Sequence, residues 1–532
     1  MPANPVDVVV VGAGAAGGAL GWRLTELGAK VVCLEQGDWV NPADYPSQRL
    51  DFESSLFRGP FHVDPNVRRR SEDYPITKAG THPPNVLMFN AVGGSTIHWQ
   101  AMHFRFHPSD FRARTLDGVA DDWPISYREL EPYYDMNDRM MGVSGLAGDP
   151  AYPLRSPRPT PPLPIGSYGE IAVRGLERLG WHWWVGENAI ISEAYDGRPP
   201  CQLHGKCTMG CPMGAKASTD VTYWPKAIAR GAELKTRARA REILIDRSGG
   251  ARGVLYYDRA GALNELLARV VVVCCNGIGT PRLLLNSRSA LFPDGLGNSQ
   301  GSVGRFLMVH PGRAVTGVFS EPNDGHIGPN GIPLYSQEFY ETDPRRGYAR
   351  GYTLVLGRNT GPLGEFVFGF PPLPWGREHH GAMRRRFPHS VKIVVLADDL
   401  PEPHNRVDLD SSLRDSNGLP AARATYSASE NSLAMLGHGA ARAREWLEAA
   451  GAEEIQDSPR VWNWAHYMGT ARMGSDPKRS VVDQHHRVHG VPNVYVVDGS
   501  SFVTAAGVNP TSTIGALALR AADGIWDHRS EW

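Results

Sequence analysis

Two groups of residues in this chain have the types and spacing for chemistry. Gly12-Ala13-Gly14-Ala15-Ala16-Gly17 is a G-x-G-x-x-G run entered directly from Asp7-Val8-Val9-Val10-Val11. In that pattern Gly12 permits a tight turn, Gly14 lets backbone approach a pyrophosphate and Gly17 allows close helix–strand contact. Glu35 ends the next apolar run, Lys30-Val31-Val32-Cys33-Leu34, where a carboxylate meets ribose hydroxyls. Strand, turn and acid together predict a dinucleotide site, although the motif alone does not separate FAD from NAD. The second group is Cys201, Cys207 and Cys211, spaced C-x5-C-x3-C-P with Gly205 and Gly210 between them. Glycines let such a loop wrap a compact object, and three thiolates suit a 3Fe-4S centre better than the four-cysteine clusters. Zinc, a disulfide or a turn of free thiols remain open for the same residues.

These groups need elements to position them. The β-branched run before Gly12 reads as a buried parallel strand, and the helix through Leu20 and Leu24 aims its N-terminal N–H groups at phosphates. Far along the chain, Val494-Tyr495-Val496-Val497 reads as another strand ending in Asp498-Gly499. Asn509-Pro510-Thr511 and an alanine-rich helix over Ile514–Ile525 follow, a segment that looks built to close over a flavin. Ser126-Tyr127-Arg128-Glu129 is a capping box opening a helix that Pro132 is expected to bend or restart. Pro150 to Pro164 is proline-dense and predicts an extended crossing. A helix over Tyr168–Leu179 leads toward the cysteine loop. Val391–Leu396 and Asn405–Asp410 read as strands of a mostly antiparallel sheet, with an amphipathic helix over Ser432–Ala450. Cys33 and the adjacent pair Cys274-Cys275 are expected to be packing thiols, the pair on opposite faces of its strand. The Arg384-Arg385-Arg386 run is expected on a solvated face.

Composition removes several classes. Lys+Arg 55 against Asp+Glu 56 leaves a formal charge of −1 over 532 residues, so nothing favours a nucleic-acid backbone as partner. No apolar run approaches the roughly 18 residues of a membrane span, and the N-terminus lacks the basic start of a signal peptide. A cytoplasmic protein is expected. His103 with His107, near Asp110, and His485 with His489, near Asp483, have H-x3-H spacing. Pro108 and the turn-rich surroundings of the second pair argue against the helical placement a zinc site needs, so surface or interdomain hydrogen bonding is expected.

Five separated motifs, in order, resemble the glucose-methanol-choline (GMC) oxidoreductases. They are Gly12 to Glu35, Val92-Gly93-Gly94-Ser95-Thr96-Ile97-His98-Trp99, Asp122-Trp123-Pro124 through Tyr134, Gly279-Thr280-Pro281-Arg282 and His466-Tyr467-Met468-Gly469-Thr470 through Asn509-Pro510. The resemblance spans nearly the whole chain and is weakest from about 312 to 390. Around Gly93–Phe106 and the cysteine loop, the sequence is most similar to bacterial sugar dehydrogenases of the glucose and gluconate type, with pyranose and glycoside oxidases next.

The resemblance implies an α/β fold in which a Rossmann-like FAD-binding domain (1–144, 201–311 and 462–532) interleaves with an α+β substrate domain (145–200 and 312–461). It implies cofactor contacts from Gly12, Gly14, Gly17, Glu35, Gly93, Gly94, Ser95, His98, Trp99, Asp498, Asn509, Pro510 and Thr511. His466 matches the family's base, and Asn509 its partner at the substrate oxygen. Pyranose oxidases link flavin covalently at the position of His98, whereas the sugar dehydrogenases hold FAD without a bond. The expected reaction is oxidation of a secondary alcohol of a sugar, glycoside or polyol to the ketone or lactone, by hydride transfer to flavin N5. Phe370-Pro371-Pro372-Leu373-Pro374-Trp375 and His379-His380 would suit a sugar face. An oxidase of lipid or aromatic alcohols and an electron-relay flavoprotein are the alternatives; an electron carrier needs neither His466 nor Asn509. The acceptor stays open among oxygen, a quinone, a dye and a cytochrome, as do a small partner subunit and an oligomer.

Overall fold

The valine run Val8–Val11 is buried because strands flank it on both sides. Val6–Val11 pairs in parallel with Val31–Leu34 and with Leu263–Val273, as expected for a parallel strand with no polar face. The computed structural model describes residues 5–57, 59–66, 74–358, 361–362 and 372–532. Its first sheet runs Glu233–Lys235, Val31–Leu34, Val6–Val11, Leu263–Val273, Ala251–Tyr257 and Arg239–Ile245. The long strand Leu263–Val273 branches: its first half is antiparallel to Ala251–Tyr257, and its second half is parallel to Val494–Val496. Helices Ala15–Leu27 and Thr511–Asp527 pack together with this sheet, so both ends of the chain meet at the predicted nucleotide turn.

The second sheet is antiparallel, in the order Glu454–Asp457, Met308–Val318, Ser390–Ala397, Tyr352–Gly357, Leu334–Ser336 and Trp184–Val185. Trp462–Met468 also pairs with the first half of Met308–Val318. The helices Gly166–Leu179 and Glu430–Ala450 cover one side of this sheet through Tyr168, Ile171, Leu436 and Trp446, and the Trp446 indole N–H donates to the Ala172 carbonyl at 2.7 Å. One strand assignment differs from expectation. Arg406–Arg414, expected in that sheet, instead forms a separate three-stranded sheet with Pro420–Thr425 and Ile76–Ala79. The reason lies in its patterning: Val407 is buried against Ile76, Ile278 and Leu307, which draws the strand to the FAD side.

The Ser126 capping box forms, Ser126 N–H donating to Glu129 Oε2 at 2.8 Å and Glu129 N–H to Ser126 Oγ at 3.3 Å. The helix Tyr127–Met141 runs through Pro132 as one element. Proline costs it one internal bond, and burial of Leu130, Tyr134 and Met141 together with the Tyr134–Thr513 hydroxyl contact at 2.7 Å offsets that loss. No helix among the described residues is long and apolar enough to cross a membrane.

Candidate active site

At the nucleotide turn the three glycines divide their roles. A Cβ at Gly12 would sit 2.5 Å from the Cys274 carbonyl oxygen, and one at Gly17 would sit 1.9 Å from that of Gly12. Nothing lies within 4 Å of the same position at Gly14, leaving open backbone at the start of the helix Ala15–Leu27, where a phosphate can approach. The second loop docks here: Gly93 N–H donates to the Ala13 carbonyl at 3.0 Å, and a Cβ at Gly94 would come within 3.0 Å of Gly14 Cα. Glu35 accepts from Ala13 N–H (2.9 Å) and Gly37 N–H (2.8 Å). Burial pushes its carboxyl up to about 7 against the pull of these N–H groups.

A cavity of about 470 Å³ begins at this turn. Gly12, Gly14 and Glu35 line one end, Gly94, Ser95, His98 and Trp99 one wall, and Asp498, Asn509, Pro510 and Thr511 another. Gly17 and Gly93 stand behind the lining and shape it. Asp498 is tied down by Asn276 N–H, the Thr280 hydroxyl and Ser500 N–H, at 2.6–2.9 Å, so it braces the wall. The cavity fits FAD: besides open Gly14, the buried Asn90 Nδ2 and Asn509 Oδ1 on its lining have no partner among the described residues.

His466 opens on the same cavity. Its strand loses register with Met308–Val318 between Trp464 and Met468, and such an irregularity re-aims a side chain. His310, on the facing strand, places its Nδ1 2.7 Å from His466 Nδ1 and its Nε2 2.7 Å from the Ala506 carbonyl oxygen. These contacts fix the tautomers. A carbonyl only accepts, so His310 Nε2 carries hydrogen and its Nδ1 is a lone pair. His466 Nδ1–H therefore donates to His310, which leaves His466 Nε2 bare, 3.4 Å from the Asn509 amide nitrogen. His310 was not anticipated from the sequence. Burial lowers the His466 pKa well below 6.5, with His310 adding to the effect, and burial pushes His310 down to about 4. A base with a depressed pKa stays unprotonated as pH falls through 6.5, so the acid limb of kcat/KM is expected below pH 6.5. A limb at or above 6.5 in the free enzyme contradicts this assignment.

The cysteine loop lies outside the cavity lining except through Thr208. His98 Nδ1–H donates to the Thr208 carbonyl at 2.8 Å, and the imidazole stands edge-on to Phe89 at 4.3 Å. Buried Lys216 donates to the carbonyls of Thr96, Ile97 and Trp99 at 3.2, 2.6 and 3.3 Å, fastening this loop beneath the cavity wall. Cys201, Cys207 and Cys211 are free thiols. Each accepts a backbone N–H, from Leu203, Asn330 (3.2 Å) and Lys216 (3.5 Å) respectively. Among the described residues no group of three or more His, Cys, Asp or Glu side chains is placed to hold a metal ion. A three-iron cluster takes one thiolate per iron, and N–H groups on the sulfurs would tune its potential.

Several side chains differ from expectation. Cys274 and Cys275 both line the cavity, because the strand ends at Val273 and alternation stops there; Cys275 Sγ donates to the Val11 carbonyl at 3.3 Å. Of the surface and interdomain alternatives for His103 and His107, burial removes the first: His103 contacts Asn137, and His107 reaches across to Gln337 on the second sheet's side at 3.2 Å. His489 bonds the Ser480 hydroxyl at 2.9 Å. In the arginine run, Arg385 pairs with Glu454 and Arg386 is buried, because the run forms the last turn of a helix, His379–Arg386, against the second sheet's edge. Phe370 and Pro371 lie outside the described residues, and Trp375 is exposed.

The family model described as GMC oxidoreductase matches residues 6–312 with its N-terminal part and 401–518 with its C-terminal part. The chain is 43% identical to 2-methyl-1,2-propanediol dehydrogenase of Mycolicibacterium austroafricanum, over 98% of this chain and 95% of that one. It is 31% identical to the fructose dehydrogenase large subunit of Gluconobacter japonicus, over 98% and 97%. Among solved structures, formate oxidase of Aspergillus oryzae (TM-score 0.67, 17% identity, 100% of both chains) and pyridoxine 4-oxidase of Mesorbium loti (TM-score 0.66, 17%, 98% and 99%) share the fold. With a nucleotide turn, a closing C-terminal segment and family matches over most of its length, the chain belongs to the GMC oxidoreductases, enzymes that act on alcohol groups.

Proposed function

We propose that this enzyme oxidises an alcohol carbon of a neutral polyol or sugar, with FAD as cofactor. The observation that carries the reading is the directed path from the Ala506 carbonyl through His310 to His466, which leaves a bare Nε2 beside Asn509 in the cavity that begins at the nucleotide turn. His466 Nε2 takes the hydroxyl proton, and His310 holds the ring in the accepting tautomer. Asn509 steadies the substrate oxygen as it gains negative charge. Bound FAD would supply the acceptor for the hydride of the carbinol carbon. The names of the diol and fructose dehydrogenases support a polyhydroxy substrate and an acceptor other than oxygen. Cys201, Cys207 and Cys211 would hold a 3Fe-4S centre, giving single electrons an exit toward a quinone, dye or cytochrome.

Anaerobically purified protein should show flavin absorbance that a polyol bleaches, with about three irons per chain. Flavin that no alcohol bleaches would overturn the oxidation. Bleaching without iron would remove the cluster and make oxygen the acceptor to test.

A further inference from the structure

Gln100 lines the cavity two residues beyond His98. Its amide nitrogen donates to Asn330 Oδ1 at 2.8 Å. Asn330 is 1% exposed, its backbone N–H is held by Cys207 Sγ, and its own amide nitrogen has no protein partner. The two side-chain amides therefore share one hydrogen bond. Whichever way each is turned, Gln100 keeps one polar end with no partner among the described residues, at the cavity surface.

The backbone beyond Gln100 runs toward the second sheet. Ala101 accepts from Ala189 N–H at 2.8 Å. Asn188, next to it, exchanges two hydrogen bonds with the backbone of Ile332, at 2.9 and 2.8 Å. Ile332 leads into Leu334–Ser336, a strand of the sheet that also carries His466. Gln100 thus sits where the flavin-facing loop crosses to that sheet, between Trp99 and the apolar Ala101 and Met102. The cationic residues bordering the cavity, Arg239, Arg241 and Arg282, come from the far side beyond Ala238. Arg239 and Arg282 both face Asp415. Lys216 is committed to three carbonyls. Among the described residues, a substrate carboxylate or phosphate would find no free cation beside Gln100. A hydroxyl both donates and accepts, so it satisfies either end of an amide.

We infer that Gln100, buttressed by Asn330, reads a second, neutral hydroxyl of the substrate, so the enzyme selects diols and polyols over monoalcohols. This rests on the alcohol-oxidation reading above and narrows it. A monoalcohol leaves the Gln100 amide without a partner inside the occupied cavity, and a site built to bond a hydroxyl discriminates strongly against analogues that lack it.

The test compares kcat/KM for propylene glycol and propanol in the wild type, Gln100→Leu and Asn330→Ala. The wild type is expected to prefer the diol at least tenfold. Gln100→Leu should lower that preference by about tenfold or more, one lost hydrogen bond being worth about that factor, and Asn330→Ala should lower it in the same direction. Flavin content checks each variant, and Gln100→Met carries the same expectation where the leucine variant fails to retain flavin. A wild type without preference, or a Gln100 variant that keeps the full preference, overturns the assignment while bleaching by both alcohols leaves the oxidation standing. Protein bleached by a sugar but by neither of these alcohols overturns the diol assignment alone, and protein bleached by no alcohol contradicts the oxidation itself.

Discussion

His466→Ala is expected to lower kcat by about 10² to 10⁴ with flavin still bound, the range for loss of a positioned general base. The size follows from geometry. His466 Nε2 is the bare nitrogen of the two-histidine path, and alanine leaves no group to take the proton as the C–H bond breaks. Water in the vacated space lacks the tautomer that His310 imposes through its 2.7 Å contact. Flavin retention is expected because the nucleotide turn, Glu35 and the loop at Gly93–Trp99 are built independently of the His466 side chain. Both kcat and kcat/KM should fall together, the sign of an interaction made in the transition state. Near-normal turnover would remove the base assignment.

Asn509→Ala should depress kcat by about 10² to 10³, the cost of removing one donor at a developing oxyanion. Asn509 places its amide nitrogen 3.4 Å from His466 Nε2, and its oxygen is buried without a partner. The residue precedes the helix Thr511–Asp527, so its backbone is fixed and the side chain can be removed with little rearrangement. KM should change much less than kcat. An effect confined to KM would make Asn509 a ground-state contact and count against a role at the alkoxide.

How much of this was legible in the sequence depended on sequence distance. The nucleotide turn and the capping box at Ser126 are local patterns, and each forms as read. His466 and Asn509 came from resemblance, and the structure brings them together. His310 had no local signal: it follows the apolar Leu307-Met308-Val309 in a strand, and its role appears only when that strand lies beside Trp462–Met468. Gln100 and Asn330, 230 residues apart, were hidden for the same reason. Asn405–Asp410 misled because its alternation fits any half-buried sheet; the neighbour Ile76–Ala79 that claims it is distant in sequence. Cys274-Cys275 misled because strand alternation was extended past Val273, where the strand ends.

In the proposed reaction the alcohol's carbinol C–H bond breaks as His466 accepts the hydroxyl proton. The most direct measurement is the single-turnover rate of flavin reduction under anaerobic conditions, using propylene glycol and the same diol deuterated at its carbinol carbons, in the wild type and His466→Ala. Deuterium should slow reduction in the wild type, and the variant should reduce its flavin at least about a hundredfold more slowly. Reduction insensitive to deuterium, with the His466 variant as fast as the wild type, would contradict it.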